Sequence, residues 1–198
     1  MENTARGIMK QPENLIRVWD PLVRGFHWVL VSAFFIAYLT EDDVMFLHVW
    51  AGYTIGAALL VRILWGLVGA RHARFSDFVT SPQNALQYVK DTILLRAKRY
   101  LGHNPAGGLM IVVMIISLIF TVLSGVAVYG AAEQAGPLAD LFANAGKFWE
   151  NLLEEVHEFF ANFTLFLVAV HVAGVVIESL IHKENLVSSM INGFKRAE

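Results

Sequence analysis

Four long apolar stretches, separated by shorter polar ones, dominate the chain. They run from about 21 to 39, 44 to 68, 106 to 130 and 154 to 181, and a helix needs about 20 residues to cross a bilayer core. None alternates between apolar and polar positions as a half-buried strand would, so helices are expected rather than a barrel. The first is entered through Asp20 and Pro21, a side-chain acceptor followed by a residue whose fixed φ suits the first helical position. The third contains no charged residue. Two further segments read as surface helices. Ser81 and Pro82 predict a helix running to about Tyr100, with Ala85, Leu86, Val89, Ile93 and Leu94 on one face and Lys90, Arg96, Lys98 and Arg99 supplying positive charge. Such a helix lies on an anionic leaflet. Residues 137–148, with Leu138, Leu141, Phe142 and Phe148, are expected to lie on the opposite surface.

Charge sets the direction of these spans. Fourteen of the 15 Lys and Arg fall in the N-terminal region, the stretch from Arg62 to Arg99 or the C-terminal tail; Lys147 alone falls on the other side. That side carries Glu41, Asp42, Asp43, Glu133, Asp140, Glu150, Glu154 and Glu155. The positive-inside rule then places both termini in the cytoplasm of a bacterium, and the acidic loops in the periplasm. The expectation is an all-α, antiparallel four-helix transmembrane bundle of one domain, multi-pass in the inner membrane. A hydrophobic content of 56% and a mean hydropathy of +0.53 agree with the membrane class. Before the first span the tail carries Glu2, Asn3, Arg6 and Lys10 and no apolar run, so that span is expected to stay in the mature protein. Cysteine is absent, which excludes disulfides, thiolate-bound clusters and covalent c-type haem. Histidine is left as the leading side chain for a redox metal.

The histidines fall at two depths. His157 and His171 are fourteen residues apart on one span, close to four turns, so they share a face about 21 Å apart. His27 lies about 21 Å from the acidic end of the first span and His171 about 25 Å from that end of the fourth. His48 and His157 each lie roughly 5 Å inside that same boundary. Depth therefore pairs His27 with His171 and His48 with His157. Two imidazoles at each level are what two b-type haems require. A flat macrocycle needs small neighbours, and Gly52 and Gly56 continue the His48 stripe at four-residue spacing. Ala161, Thr164 and Val168 lie between the ligands of the fourth span, and Gly174 follows His171 by three; these residues also suit ordinary helix packing. Arg62, fourteen residues after His48, reaches the depth of the inner pair. It either meets a haem propionate or snorkels to lipid phosphate.

Other residues are read more plainly. Glu154 and His157 form one Glu-x-x-His, but no second copy exists for a di-metal carboxylate site. His72 and His182 are expected at the surface. His103 is expected in a loop beside a helix start. The five tryptophans, Trp19, Trp28, Trp50, Trp65 and Trp149, sit near span ends, as an aromatic belt would place them.

Several segments together resemble the bacterial cytochrome b-561 family, which is related to the b-type cytochrome subunits of nickel–iron hydrogenases. They are 17–28 (RVWDPLVRGFHW), 47–53 (LHVWAGY), 100–105 (YLGHNP), and the surroundings of His157 and His171. The resemblance covers nearly the whole chain. It implies two haems b on these four histidines and electron transfer between membrane quinone and a periplasmic partner such as a c-type cytochrome or hydrogenase. Some members resemble superoxide oxidases, which reduce ubiquinone; in that alternative Lys147 would lure the anion. This chain departs from the short members in its long basic segment between the second and third spans. Its acidic outer surface favours a basic protein partner over superoxide. Quinone reduction needs proton-bearing groups, for which Arg62, His103 and Arg74 are inner-side candidates. Lipid and quinone are expected partners, nucleic acid is not, and a homodimer stays open.

Overall fold

A computed structural model describes residues 15–41 and 43–197; the expectations resting on Glu2, Asn3, Arg6, Lys10 and Asp42 lie outside the described residues. In chain order the elements are β1 (Leu15–Arg17), α1 (Pro21–Leu39), α2 (Met45–Val68), a 3₁₀ turn (Arg71–Ala73), α3 (Phe75–Phe78), α4 (Pro82–Ile93), α5 (Pro105–Ala132), α6 (Ala139–Phe142), α7 (Lys147–Ile181), α8 (Leu186–Asn192) and β2 (Phe194–Arg196). Four of them, α1, α2, α5 and α7, are long and apolar enough to cross a membrane.

The spans form two antiparallel hairpins, α1 with α2 and α5 with α7, which meet where α2 runs beside α5. One apolar cluster holds this contact: Ala33, Phe34 and Ala37 of α1, Ala51, Ile55 and Leu59 of α2, and Leu118 of α5. Between α5 and α7, Ser117 Oγ and Thr164 Oγ1 are 2.7 Å apart and fully buried. Such a bond contributes only about 0.6 kcal/mol inside a membrane. Phe120 of α5 also stacks on Phe160 of α7 across this hairpin, at 4.8 Å. Large apolar side chains such as Leu64, Leu123 and Phe166 face outward, as a lipid-facing waist requires.

Both ends of the described chain meet at one end of the bundle. β1 pairs antiparallel with β2, Leu15 opposite Arg196, and the ribbon end also gathers α3, α4 and α8. There Trp19 is 5% exposed and its indole donates to Ser189 Oγ at 3.3 Å. It is thus a core residue, not a belt residue: Val18, Val23 and Ala73 close over it. Glu184 clasps Arg99 at 2.8 Å and Lys195 at 3.3 Å, tying the segment after α4 to the tail.

Element bounds depart from the sequence reading for physical reasons. α5 starts at Pro105 because Asn104 caps it, accepting from Gly107 N at 2.7 Å. α7 starts two turns before residue 154. Its 35 residues span about 52 Å, more than the about 30 Å of a bilayer core, so its first turns are free to be acidic. The expected helix over 137–148 shrinks to the single turn α6, because Lys147 and Phe148 already belong to α7. α4 stops at Ile93 rather than Tyr100: Leu94 caps it, Leu95 turns with φ +56°, and Arg99 is drawn to Glu184. Ala85 and Tyr88 of α4 are buried, while Leu86, Val89 and Ile93 stay exposed.

Candidate functional site

α1 and α2 bring His27 and His48 to one side of the bundle, and α7 presents His157 and His171 to the other. α7 approaches that side through side chains rather than through backbone packing. Leu165 and Val168 reach the core cluster, and Tyr38 Oη donates to Asn162 Oδ1 at 2.8 Å.

At the end away from the ribbon, the rings of His48 and His157 lie 5.9 Å apart, centroid to centroid. His48 Nδ1 is 2.9 Å from the carbonyl oxygen of Ala37, in the last turn of α1. A carbonyl only accepts, so Nδ1 carries the proton and Nε2 keeps its lone pair. The same logic holds for His157, whose Nδ1 is 3.0 Å from Thr121 O and 3.2 Å from Ser124 Oγ. Ser124 gives its own proton to the carbonyls of Phe120 and Thr121, so toward His157 it accepts. Both imidazoles are thereby fixed in one tautomer and oriented from behind, as metal-binding histidines are.

Toward the ribbon end stand His27 of α1 and His171 of α7. His27 Nδ1 is buried with no hydrogen-bond partner, and Trp28 stands edge-on to its ring at 5.1 Å. Arg62, 2% exposed, donates to Ala73 O at 3.0 Å. The rings of Phe26, Phe75 and Phe78 surround its guanidinium at 4.8–5.8 Å. It does not snorkel to lipid; the loop after α2 folds over it.

His103 is no simple loop histidine. It is wedged between Trp19 and Phe78, each 4.6 Å away, and its Nδ1 is buried without a partner. Burial, with the charges of Arg62 and Lys195 behind it, pushes its pKa down to about 3, so it is neutral at pH 7. His72 bonds Asp77 at 3.0 Å, and the His182 Nε2 atom is buried 3.3 Å from Glu178 without a hydrogen bond; neither ring is free at the surface. Tyr88 donates to the same Glu178 at 2.9 Å, and burial, then Glu178, raises its pKa. For Glu184 burial pushes upward, but Arg99 and Lys195 together outweigh it and hold the carboxyl below the usual range.

The donor set fits a porphyrin iron. Among the described residues no three His, Cys, Asp or Glu side chains cluster to hold a bare ion. A porphyrin iron would instead need only two imidazoles from the protein, and His48 and His157, 5.9 Å apart between ring centroids, would be the residues to hold one. A Cβ built on Gly52 meets nothing within 4 Å, nor does one on Gly174, so there is room beside the histidines of α2 and α7. Gly56 differs: its Cβ would lie 3.3 Å from Val122, so it serves the approach of α2 to α5. Gly125, which sequence reasoning missed, matters more. A Cβ there would come within 2.8 Å of the His157 ring, so glycine makes space for that imidazole.

The end of the bundle away from the ribbon is acidic, with Glu41, Asp43, Glu133, Asp140, Glu150, Glu154 and Glu155. Lys147 is bonded to Glu150 at 3.0 Å, while Phe148 and Trp149 are exposed beside it.

Residues 18–193 match the family model described as prokaryotic cytochrome b561. Curated relatives named "Probable Ni/Fe-hydrogenase B-type cytochrome subunit" are similar along most of their length. The one from Azotobacter vinelandii is 30% identical, with 92% of this chain and 89% of that protein aligned. Its counterpart from Cupriavidus necator is 26% identical over 90% and 86%, and that from Rhodobacter capsulatus 28% over 91% and 81%. No solved structure matches this chain. Four apolar spans, paired imidazoles and these likenesses agree on a multi-pass membrane protein that transfers electrons through haem b. The chain belongs to the prokaryotic cytochrome b561 family.

Proposed function

We propose that the chain carries electrons across a bacterial inner membrane through two bis-histidine haems b. His48 and His157 hold the outer one; His27 and His171 hold the inner one. The observation that carries this reading is the approach of His48 and His157 at 5.9 Å with both Nδ1 atoms committed to carbonyls. Haem b supplies a one-electron carrier at each level. The fourteen-residue step on α7 separates the levels by about 21 Å. The basic ribbon end belongs in the cytoplasm by the positive-inside rule, and the acidic end in the periplasm.

The quinone belongs at the inner end, where His103 offers a buried, unpaired ring nitrogen beside Arg62; Arg74 lies on the exposed rim of that region. Outside, Glu133, Asp140, Glu154 and Glu155 suit a redox protein with a basic contact face. The relatives' names favour a hydrogenase over a c-type cytochrome. Superoxide oxidation gains no support, because Glu150 neutralises the cation that would attract the anion. One chain supplies all four ligands, so the reading does not require a homodimer. Gly52 leaves room beside the outer haem, Gly56 sets the α2–α5 distance, and Arg62 places positive charge near the inner haem.

The test is a pyridine haemochrome assay with a reduced-minus-oxidised spectrum of the purified protein. Two haems b per chain are expected. His27→Ala or His171→Ala removes the inner haem, and His48→Ala or His157→Ala the outer. One haem per chain in the wild type, or loss of the same spectral component from both pairs, overturns the proposal.

A further inference from the structure

The two histidine pairs differ in what stands behind them. His48 and His157 each give Nδ1–H to a main-chain carbonyl, at 2.9 and 3.0 Å, and Ser124 Oγ adds a second acceptor behind His157 at 3.2 Å. The Ala37 carbonyl lies in the last turn of α1, where helix carbonyls carry partial negative charge. Donation of this kind makes an imidazole a more basic ligand. A more basic ligand favours ferric over ferrous iron and lowers the reduction potential. On the inner level, His27 Nδ1 is buried with no protein acceptor among the described residues.

Charge acts in the same sense. Reduction adds one electron, so a buried cation nearby favours it and an anion opposes it. Arg62 is buried at the inner level. Asp20 tempers it there, while Glu184 is already neutralised by Arg99 and Lys195. The outer level faces Glu41, Asp43, Glu154, Glu155 and Glu158, and Lys147, the one cation there among the described residues, is paired. These exposed charges are screened within about 10 Å, so the buried contacts behind the rings weigh most.

We infer that Ser124, with the carbonyls of Thr121 and Ala37, is a tuning shell that holds the outer haem at a lower reduction potential than the inner one. The inference rests on the two-haem reading above. Ser124 is a positioning residue, acting through His157.

The test is an optical redox titration of Ser124→Ala beside the wild type, with haem content measured on the same samples. The outer component is identified by its loss in His48→Ala. In the wild type it should be the lower of the two. In Ser124→Ala it should rise while the inner component stays, with two haems retained. The expected shift is up to tenfold in the reduction equilibrium, about 59 mV for one electron. Ser124→Thr, which keeps the hydroxyl, should restore the wild-type value, and Ser124→Gly, which adds no atom, should repeat the alanine result. A merely structural role would alter haem content or thermal stability and leave the potential in place. Two retained haems with unmoved potentials, or an outer component higher than the inner, overturn this inference and leave the two-haem reading standing. A single haem in the wild type overturns both.

Discussion

Replacing Gly125 by alanine puts one methyl group where the His157 ring stands. The new Cβ would lie 2.8 Å from His157 Cε1 and 3.2 Å from Nδ1, whereas ordinary contacts begin near 3.4 Å. The ring must retreat by about 0.6 Å, more than the about 0.5 Å within which a working site is held. It cannot retreat without stretching the bonds from Nδ1 to Thr121 and Ser124. Disturbing an outer-shell contact of this kind typically costs about 10- to 100-fold in metal affinity, or about 1.4–2.8 kcal/mol. Backbone propensity pulls the other way, since alanine favours a helix over glycine by up to about 1 kcal/mol. On the two-haem reading proposed above, Gly125→Ala should therefore keep its helix content and its inner haem while holding the outer one about 10- to 100-fold more weakly. Circular dichroism and haem stoichiometry on one preparation separate the two effects, with the inner haem as internal control. Two haems per chain at unchanged potentials in Gly125→Ala would refute the reasoning.

Three further outcomes are expected. His103 titrates near 3 in the folded protein against 6.5 when unfolded, so between these values the unfolded chain binds more protons. Stability should fall as pH drops below 6.5, by up to about 1.4 kcal/mol per pH unit. Thermal melts of His103→Phe from pH 7 to 4.5 should show a flatter profile, and an unchanged slope would count against the buried neutral ring. Arg62→Ala leaves the Ala73 carbonyl unpaired and empties a box of three rings, which should cost about 2–4 kcal/mol in denaturant melts in detergent. The inner haem's potential should fall with it, and a protein of wild-type stability would contradict the burial described. Glu184→Gln removes the partner of both Arg99 and Lys195 and should quicken proteolysis of the tail near Lys195. The wild-type clamp itself should weaken as pH falls through the lowered Glu184 pKa, being intact above the ordinary carboxylate range.

Much of the architecture was written in one-dimensional signals. Span length, the caps at Asp20 and Ser81, and the heights of His48 and His157 follow from hydropathy and the 1.5 Å rise alone. The same cap signal at Asn104 and Pro105 was legible and overlooked. The start of α7 was not legible from hydropathy, because a helix that has left the bilayer no longer needs apolar residues. Trp19 was misplaced, and the partners of Arg62 were missed, because their surroundings come from elsewhere in the chain: Ser189 lies 170 residues from Trp19, and Phe75 and Phe78 fold back over Arg62. Ser124 and Gly125 lie in the charge-free span, where nothing in the string marks which residues face His157. That depends on how α5 is rotated against α7, which the contacts of both helices decide together.

The pairing of β1 with β2 has a consequence for biogenesis. Leu15 finds its partner only when Arg196 has been made, and Trp19 and Arg24 wait likewise for Ser189 and Ile191. Closing so long a loop comes late, after the local hairpins have formed. The ribbon half of the molecule is therefore the last to be finished at the ribosome, and the half away from the ribbon can mature ahead of it. Deleting the last few residues should leave a protein that is sound at the end that holds His48 and His157 and unfinished at the ribbon end.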